Sequence, residues 1–303
     1  MRELWEISDL IVDYDPQTLE RRQVKKSEVV ARLTDNRQRW AARIASTLPT
    51  RDDILDPDAV DLVLFRAHAE IQRLSEEFRQ ERRVWTLLGP LVDCLRERGI
   101  SPIRVVDVGC GVGYLIRALA RDHAAEDIEF WGVDLNKALI DAADKLAREE
   151  ELPAQFHHAN AFRLDAPAHI FLSSGTIHHF RGDALSAFFA DQRRLKPQAF
   201  LHFDIQPSWA SPVGAFLFHR ARFQEALSRH DGYCSALRAH PGPTLLDAAA
   251  DPDGSFRCRL FDHHGGLLPI FRVMQAIVGV REDLEAPWLE RLGSVTRRLG
   301  APS

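Results

Sequence analysis

The sequence has little that would suit a secreted, membrane-bound or nucleic-acid-binding protein. It has 4 cysteines among 303 residues, without Cys-x-x-Cys spacing, which disfavours a disulfide framework or a zinc ribbon. It lacks an apolar run of the roughly 18 residues that a membrane span needs, and its acidic N-terminus is unlike a signal peptide. A net charge of −5 gives no general basic surface for phosphate contacts. We therefore expect a reduced, cytoplasmic protein that binds neither membranes nor nucleic acid.

A glycine-rich stretch organises the rest of the chain. The segment VVDVGCGVGYLIRALA, residues 105–120, predicts a buried strand, a tight turn and a helix. The turn contains Gly109, Gly111 and Gly113, and glycine there lets the backbone approach a ligand closely. The helix that follows directs its free N–H groups and positive dipole end at the same turn. This arrangement predicts a site for a nucleotide-like ligand.

The residues around these glycines indicate which nucleotide. The dinucleotide pattern Gly-x-Gly-x-x-Gly fails, because its last glycine would fall on Tyr114. Asp107, at the end of the strand, would repel a pyrophosphate but suits a cationic amino-acid group. The pattern Asp-x-Gly-x-Gly-x-Gly resembles motif I of the class I methyltransferases that use S-adenosylmethionine. The resemblance implies cofactor contacts from Asp107, Gly109, Cys110, Gly111 and Gly113.

Three later positions extend the resemblance. The GVDLN stretch that ends the second predicted strand looks like the family's ribose-binding motif, which implies cofactor contacts from Asp134 and Leu135. Asn160 and Ala161 follow the third strand, where the family commonly has Asp-Ala holding the adenine amino group; asparagine offers different donors and acceptors. Ser174, at the end of the fourth strand, is a further expected cofactor contact.

Paired histidines follow the fourth predicted strand. His178 and His179 lie in SSGTIHHF, which resembles a stretch common in small-molecule members of the family. Ligands of open α/β sheets bind outside the carboxyl ends of the strands, so cofactor and acceptor should meet here. Either imidazole has a pKa suited to taking a proton from an attacking hydroxyl or amine, and analogy favours His179. Without an Asn-Pro-Pro-Tyr or Asp-Pro-Pro-Tyr motif or a cysteine here, the loop argues against methylation of nucleic-acid bases.

Other polar residues are candidates for acceptor or metal binding. Asp204 and Trp209 follow the fifth strand and are predicted acceptor contacts. The pairs His157-His158 and His263-His264 invite a metal hypothesis, but neighbouring residues on a strand point to opposite faces. We therefore predict no metal.

Alternation of strands and helices predicts an α/β fold, namely a Rossmann-like, seven-stranded, mostly parallel sheet with a C-terminal antiparallel hairpin. We expect a helical extension over 1–98 and a catalytic domain over 99–303. The predicted strands cover 105–108, 128–133, 154–159, 168–173, 199–205, 255–261 and 269–280.

The helical predictions outside this core are less complete. A single amphipathic helix is expected over 17–48, and a second from Pro57 that Gly89-Pro90 kinks or ends. Arg66, Glu70, Arg73 and Glu77 are interpreted as a solvated face of this second helix. One helix is expected over 212–230, and residues 231–254 receive no assignment.

The resemblance implies methyl transfer from S-adenosylmethionine to an oxygen or nitrogen of a small molecule, of the kind found in secondary metabolism. The alternatives are a protein or RNA methyltransferase and a non-catalytic, S-adenosylmethionine-binding regulatory protein. A nicotinamide enzyme is opposed by the glycine spacing. The sequence leaves open the acceptor, the methylated atom and the oligomeric state, a homodimer included.

Overall fold

In the computed structural model, a seven-stranded mixed sheet forms the centre of the molecule. The structure describes residues 4–123, 125, 127–165, 167–208, 211–262 and 274–293. The sheet contains β5 (Ile103–Val108), β6 (Ile128–Asp134), β7 (Ala154–His158), β8 (Ile170–Ser174), β9 (Ala199–Ile205), β10 (Phe256–Asp262) and β11 (Met274–Arg281). Its strand order is β10-β11-β9-β8-β5-β6-β7.

The pairing of the strands confirms the predicted fold. Strands β5 to β9 run parallel, whereas β11 runs antiparallel to both of its neighbours, β9 and β10. The chain leaves β5 for β6 on one side and later returns to β8 on the other. Such a reversal of strand order opens a ligand crevice at the carboxyl ends of the strands. The glycine turn follows β5 directly, so it lies at this crevice.

Helices cover both faces of the sheet. Successive residues of β5 point to opposite faces, so Val105 and Val106 belong to two different apolar clusters. The helices of this region are α6 (Tyr114–His123), α7 (Lys137–Glu149), α8 (Asp183–Arg194), α9 (Ser211–Arg222), α10 (Ala226–Arg238), α11 (Gly242–Ala249) and α12 (Glu282–Leu292). In the described part of the chain, no helix is long and apolar enough to cross a membrane.

The N-terminal segment is mainly helical but more divided than predicted. Its helices are α1 (Ser8–Ile11), α2 (Lys26–Asp35), α3 (Arg39–Ser46), α4 (Pro57–Glu77) and α5 (Gln80–Glu97), and its strand pairs are β1 (Asp13–Tyr14) with β2 (Arg21–Arg22) and β3 (Thr50–Arg51) with β4 (Ile54–Leu55). The single helix predicted over 17–48 is wrong, because the chain breaks it at Arg37, which has φ 60°. The spacing of apolar residues cannot predict a single residue with positive φ.

The break in the second predicted helix also lies elsewhere. Helix α5 runs through Gly89-Pro90 without ending, and the interruption falls at Arg79, which has φ 50°. A Cβ at Gly89 would lie 2.9 Å from Nε1 of Trp85. Glycine at this position therefore serves close packing within the helix. The boundary predicted between 98 and 99 stays a prediction, although α5 shares an apolar cluster with the sheet.

The C-terminal half departs from expectation at two places. The helix predicted over 212–230 is in fact two helices, α9 and α10, and α10 continues to Arg238. The unassigned region 231–254 holds the end of α10 and all of α11. The predicted hairpin turn after Asp262, including His263-His264, lies outside the described residues, as does the start of the strand predicted over 269–280.

One residue of the expected solvated face is buried. Glu70 on α4 is 4% exposed, and its Oε1 accepts hydrogen bonds from the backbone N–H groups of Gln224 (2.6 Å) and Glu225 (3.2 Å). This carboxylate holds the start of α10 against α4, so the solvated interpretation is wrong for Glu70. Leu64 and Ala67 of α4 join an apolar cluster with Val112 of the glycine turn. Helix α4 therefore covers the crevice.

Candidate active site

A large cavity lies at the carboxyl ends of β5, β6, β8 and β9. Its volume is about 1510 Å³, whereas single ligand pockets are typically roughly 300–1,000 Å³. Its walls come from the sheet, from α4 and α5, from α9 and α10, and from the N-terminal segment around α1. The space is therefore sufficient for two ligands side by side.

The glycine turn requires glycine at three positions. Gly109 has φ +76°, and a Cβ there would lie 2.6 Å from Cγ2 of Thr176. Gly111 has φ +54°, and a Cβ there would lie 2.6 Å from Cδ2 of His68 on α4. Gly113 lies against Phe156, where a Cβ would come within 2.3 Å of Cε1. The turn is consequently compressed between the sheet and α4, with Gly109 at the cavity wall.

Asp134 ends β6 and lines the cavity next to this turn. Its Oδ2 accepts the N–H of Gly111 at 2.8 Å, and its Oδ1 accepts the N–H of Asn136 at 2.8 Å. Each carboxylate oxygen retains a further lone pair. The side chain is thus fixed in orientation while remaining able to accept hydrogen bonds from two neighbouring hydroxyl groups, as a ribose presents.

Asp107 and Cys110 point away from the cavity. Asp107 is 2% exposed, and its buried Oδ1 has no hydrogen-bond partner. Burial, assisted by the nearby charge of Asp134, raises the pKa of Asp107 to about 8. An unsatisfied buried carboxyl oxygen suits a ligand that brings positive charge to the turn. The thiol of Cys110 packs at Gly132, where a Cβ would lie 2.8 Å from Sγ, so a contact from Cys110 would have to come from its backbone.

The other predicted cofactor residues, Leu135, Asn160, Ala161 and Ser174, all line the cavity. The amide of Asn160 is already engaged: Nδ2 donates to the carbonyl of Pro16 at 3.1 Å, and Oδ1 accepts the N–H of Phe162 at 2.9 Å. Asn160 therefore joins this part of the cavity wall to the N-terminal segment, and its contact with adenine stays a prediction. The hydroxyl of Ser174 accepts a hydrogen bond from Gln80 on α5.

His178 forms a buried pair with Asp204. Nδ1 of His178 lies 2.8 Å from Oδ1 of Asp204, and the backbone N–H of His178 donates to Oδ2 at 2.8 Å. Burial alone would raise the pKa of Asp204, but His178 and the N–H of Ile205 outweigh it and lower that pKa. Because Asp204 is ionised, it accepts a hydrogen bond from the Nδ1–H group of His178, so Nε2 is the ring nitrogen left to act as an acceptor in the cavity wall. Asp204, a predicted acceptor contact, pairs with His178 and is not among the described residues that line the cavity; its contact with the acceptor stays a prediction.

His179 has a different electrostatic setting. Its Nδ1 lies 2.9 Å from Oδ1 of Asp9, and its Nε2 lies 3.8 Å from Oε2 of Glu6. Burial would lower the pKa of His179, but Glu6 and Asp9 outweigh that effect and raise the pKa to about 9. A histidine that already carries a proton at neutral pH cannot accept another. The raised pKa is unfavourable for His179 as the base, and which of the two histidines accepts the proton stays a prediction.

The acids around these histidines come from a part of the chain that sequence reasoning left out. Glu6 and Asp9 lie in the N-terminal segment, and Arg238 of α10 pairs with both. Arg238 also donates to the carbonyl of His179 at 3.0 Å. The N–H of Ile7 donates to Asp231 at 2.8 Å, which fastens this segment to α10. The sequence offers one signal, namely that Glu6 and Asp9 are acids among apolar neighbours. That signal does not indicate that their partner is Arg238, more than 200 residues away.

Glu6, His178 and His179 also form the one described group with metal-ligand chemistry, their ligand atoms lying within 4.8 Å of one another. Glu6 already accepts a hydrogen bond from Ser235 at 2.9 Å, and Nη1 of Arg238 lies 3.4 Å from its Oε1. That guanidinium would repel a divalent cation. We interpret the group as part of an electrostatic network that includes Arg238, and the predicted lack of a metal stays a prediction. Trp209, the other predicted acceptor contact, lies outside the described residues.

Comparison with known proteins agrees with this geometry. Residues 105–198 match the family model of a methyltransferase domain. The chain thus carries a class I methyltransferase domain that depends on S-adenosylmethionine. The matched segment runs from the glycine turn through Asp134 and the paired histidines to the end of α8. No curated protein matches the chain.

Solved structures show similar but distant folds. The plantazolicin methyltransferase, solved with a triazolic analogue and S-adenosylhomocysteine, is 14% identical with a TM-score of 0.48, over 73% of this chain and 98% of that one. The magnesium protoporphyrin IX methyltransferase from Synechocystis PCC 6803 is 14% identical with a TM-score of 0.45, over 85% of this chain and 99% of that one. A methyltransferase from Aquifex aeolicus is 12% identical with a TM-score of 0.42, over 67% and 97%.

Proposed function

We propose that the chain methylates a hydroxyl or amine of a small molecule, with His178 as the general base. The observation that carries this proposal is the His178–Asp204 pair, because it engages Nδ1 of a ring that lines a cavity large enough for cofactor and acceptor, and so leaves Nε2 as the nitrogen that can take a proton. When bound, S-adenosylmethionine supplies an electrophilic methyl group. Nε2 of His178 then takes the proton of the attacking group, while Asp204 stabilises the imidazolium that results.

The remaining residues bind and orient. Gly109, Asp134, Leu135 and Ala161 form the wall for the adenosine end. Helix α4 covers the crevice and excludes water. Alignment in a dry pocket accounts for much of the acceleration expected of an in-line displacement. The acceptor being a small molecule is supported by the position of the histidines within a cavity walled by α4, α9 and the N-terminal segment.

The test uses S-adenosylmethionine with an isotopically labelled methyl group. The purified chain is incubated with a metabolite extract, and label is followed into low-mass compounds, protein and RNA separately. We expect label in low-mass compounds only, and none with His178→Asn. Label in protein or RNA instead would contradict the proposal, as would binding of the cofactor without transfer to any of the three fractions.

A further inference from the structure

Apolar side chains form the part of the cavity wall between α4 and α9. Ile71 of α4 and Phe78, which directly follows α4, lie on one side, and α9 contributes Leu217 and Phe218. Ile71 remains 48% exposed and Leu217 62% exposed. The rings of Phe78 and Phe218 lie 6.2 Å apart, so α4 and α9 face each other across this space. Apolar side chains of α4, from Leu64 to Leu74, thus line the cavity.

One cation stands in this apolar wall. Among the described residues that line the cavity, Arg83 is the only arginine or lysine. Its Cζ lies 5.7 Å from the centre of the Phe78 ring. In the described part of the chain its guanidinium has no carboxylate partner, and burial with no opposing charge lowers the pKa of Arg83. By contrast, the acids Glu6, Asp9 and Asp134 in the same cavity all have partners.

Arg83 lies beside the apolar wall of the cavity. Gln80, Arg83 and Leu87 share one face of α5, since they are spaced at three and four residues, and all three line the cavity. Gln80 bonds Ser174 at the end of β8, and Arg83 lies one turn further along, beside Phe78. A half-buried guanidinium without a carboxylate is costly unless a ligand supplies the anion.

We propose that Arg83 binds an anionic group, such as a carboxylate or sulfonate, on a bulky apolar acceptor. This inference rests on the proposed function, since it assumes that the cavity receives an acceptor beside the cofactor. The guanidinium would pair with the anion while Ile71, Phe78, Leu217 and Phe218 enclose the apolar body.

The test compares two dyes of the same shape. Anilinonaphthalene sulfonate carries an anion, and N-phenylnaphthylamine is its neutral counterpart. Fluorescence titration is done on the full chain saturated with S-adenosylhomocysteine. We expect the wild type to bind the sulfonate at least about tenfold more tightly than the neutral dye, as a charge-assisted hydrogen bond in a half-buried site predicts. Arg83→Met should abolish this preference and leave binding of the neutral dye unchanged. Arg83→Lys should retain part of it.

Arg82→Met is the matched control, because Arg82 is the neighbouring arginine, is largely exposed and pairs with Glu81. It should keep the preference. The proposal is overturned if the wild type shows no preference for the sulfonate, or if Arg83→Met retains it.

A second titration identifies the source of the anion. S-adenosylhomocysteine has an amino-acid carboxylate, and methylthioadenosine lacks it. The proposal expects Arg83→Met to bind both as the wild type does. If the variant binds only S-adenosylhomocysteine more weakly, Arg83 holds the cofactor's own carboxylate and the proposal fails. If the wild type prefers the sulfonate dye but transfers no labelled methyl group, the proposed function is overturned and the anion site is still supported.

Discussion

The carboxylate of Asp204 holds His178 by two atoms at once: its Oδ1 lies 2.8 Å from the imidazole Nδ1, and its Oδ2 accepts the backbone N–H of the same residue at 2.8 Å. The second bond fixes the orientation of the carboxylate, because an oxygen must face that N–H group. The first bond then fixes the imidazole tautomer. One acid at the end of β9 therefore determines where the proton-accepting atom of the neighbouring loop lies.

We predict that both members of this pair are needed for turnover. His178→Asn should slow turnover about 10²–10⁴-fold, the usual contribution of a general base. Asp204→Asn should also slow it, since a neutral amide stabilises the imidazolium less and, in either orientation, places its NH₂ group against a backbone N–H, that of His178 or that of Ile205. Affinity for S-adenosylhomocysteine, measured by calorimetry, should change little in either variant.

His157→Gln on β7 is the control for these two variants, because its ring packs on Trp131 and does not line the cavity. It should turn over as the wild type does. If the rate against pH has a limb near neutrality that survives in His178→Asn, another group is the base.

A second prediction concerns the cofactor end of the cavity. Asp134→Ala should weaken S-adenosylhomocysteine binding by about 2–4 kcal/mol, because two charge-assisted hydrogen bonds to ribose are lost. Asp141→Ala removes an exposed acid on α7 that pairs with Lys137, and should leave affinity unchanged. Calorimetric titration of S-adenosylhomocysteine into the wild type and both variants checks this. A titration of NAD into the wild type should show no binding. Unchanged affinity in Asp134→Ala would exclude ribose binding by this residue.

A third prediction is a pH dependence of stability that comes from His179. Glu6 and Asp9 raise its pKa from 6.5 to about 9 against the opposing effect of burial. A raised pKa stabilises the fold fully below pH 6.5. This contribution declines as the pH rises and is lost above about 9. The unfolding free energy of the wild type should therefore fall relative to His179→Gln between these values, by about 1–3 kcal/mol after screening. Parallel denaturant titrations of the two proteins across this range would contradict the prediction if their difference stayed constant.

The sequence predicted those parts of the site that depend on local pattern. Gly109 and Asp134 were found because each follows a strand whose period and β-branched residues are visible, and parallel strands bring their carboxyl ends together. The link between Glu6 and Arg238 could not be found in this way. It depends on how α1 and α10 pack, and neither the spacing nor the polarity of either residue reports on a contact 232 positions apart. Asp204 illustrates the middle case, since its place at the site was predicted and its partner was not.

A fourth prediction concerns Glu70, which shares the predicted solvated face of the second helix with Glu77. Glu70→Ala should destabilise the chain by about 1–3 kcal/mol, since the buried N–H groups of Gln224 and Glu225 lose their acceptor. Glu77→Ala removes an exposed pair with Arg222 and should cost at most about 1 kcal/mol. Urea denaturation of the two variants measures both values. Equal values would mean that the bond from Glu70 to the start of α10 contributes nothing beyond a surface ion pair.

The fifth prediction tests whether the N-terminal helices form part of the acceptor site. Leu87 and Leu88 of α5 pack in the same apolar cluster as Val105 of the central strand, and Ile71 and Phe78 form the far wall of the cavity. A chain that begins at Gly99 would expose the first surface to water and remove the second wall. We expect it to aggregate or, where it stays soluble, to bind S-adenosylhomocysteine without transferring labelled methyl groups to low-mass acceptors. A chain that begins at Leu4 keeps Glu6 and Asp9, and should behave as the full chain does. Full transfer by the shorter chain would mean that the acceptor is held by residues after Gly99 alone, and that the helices serve another purpose.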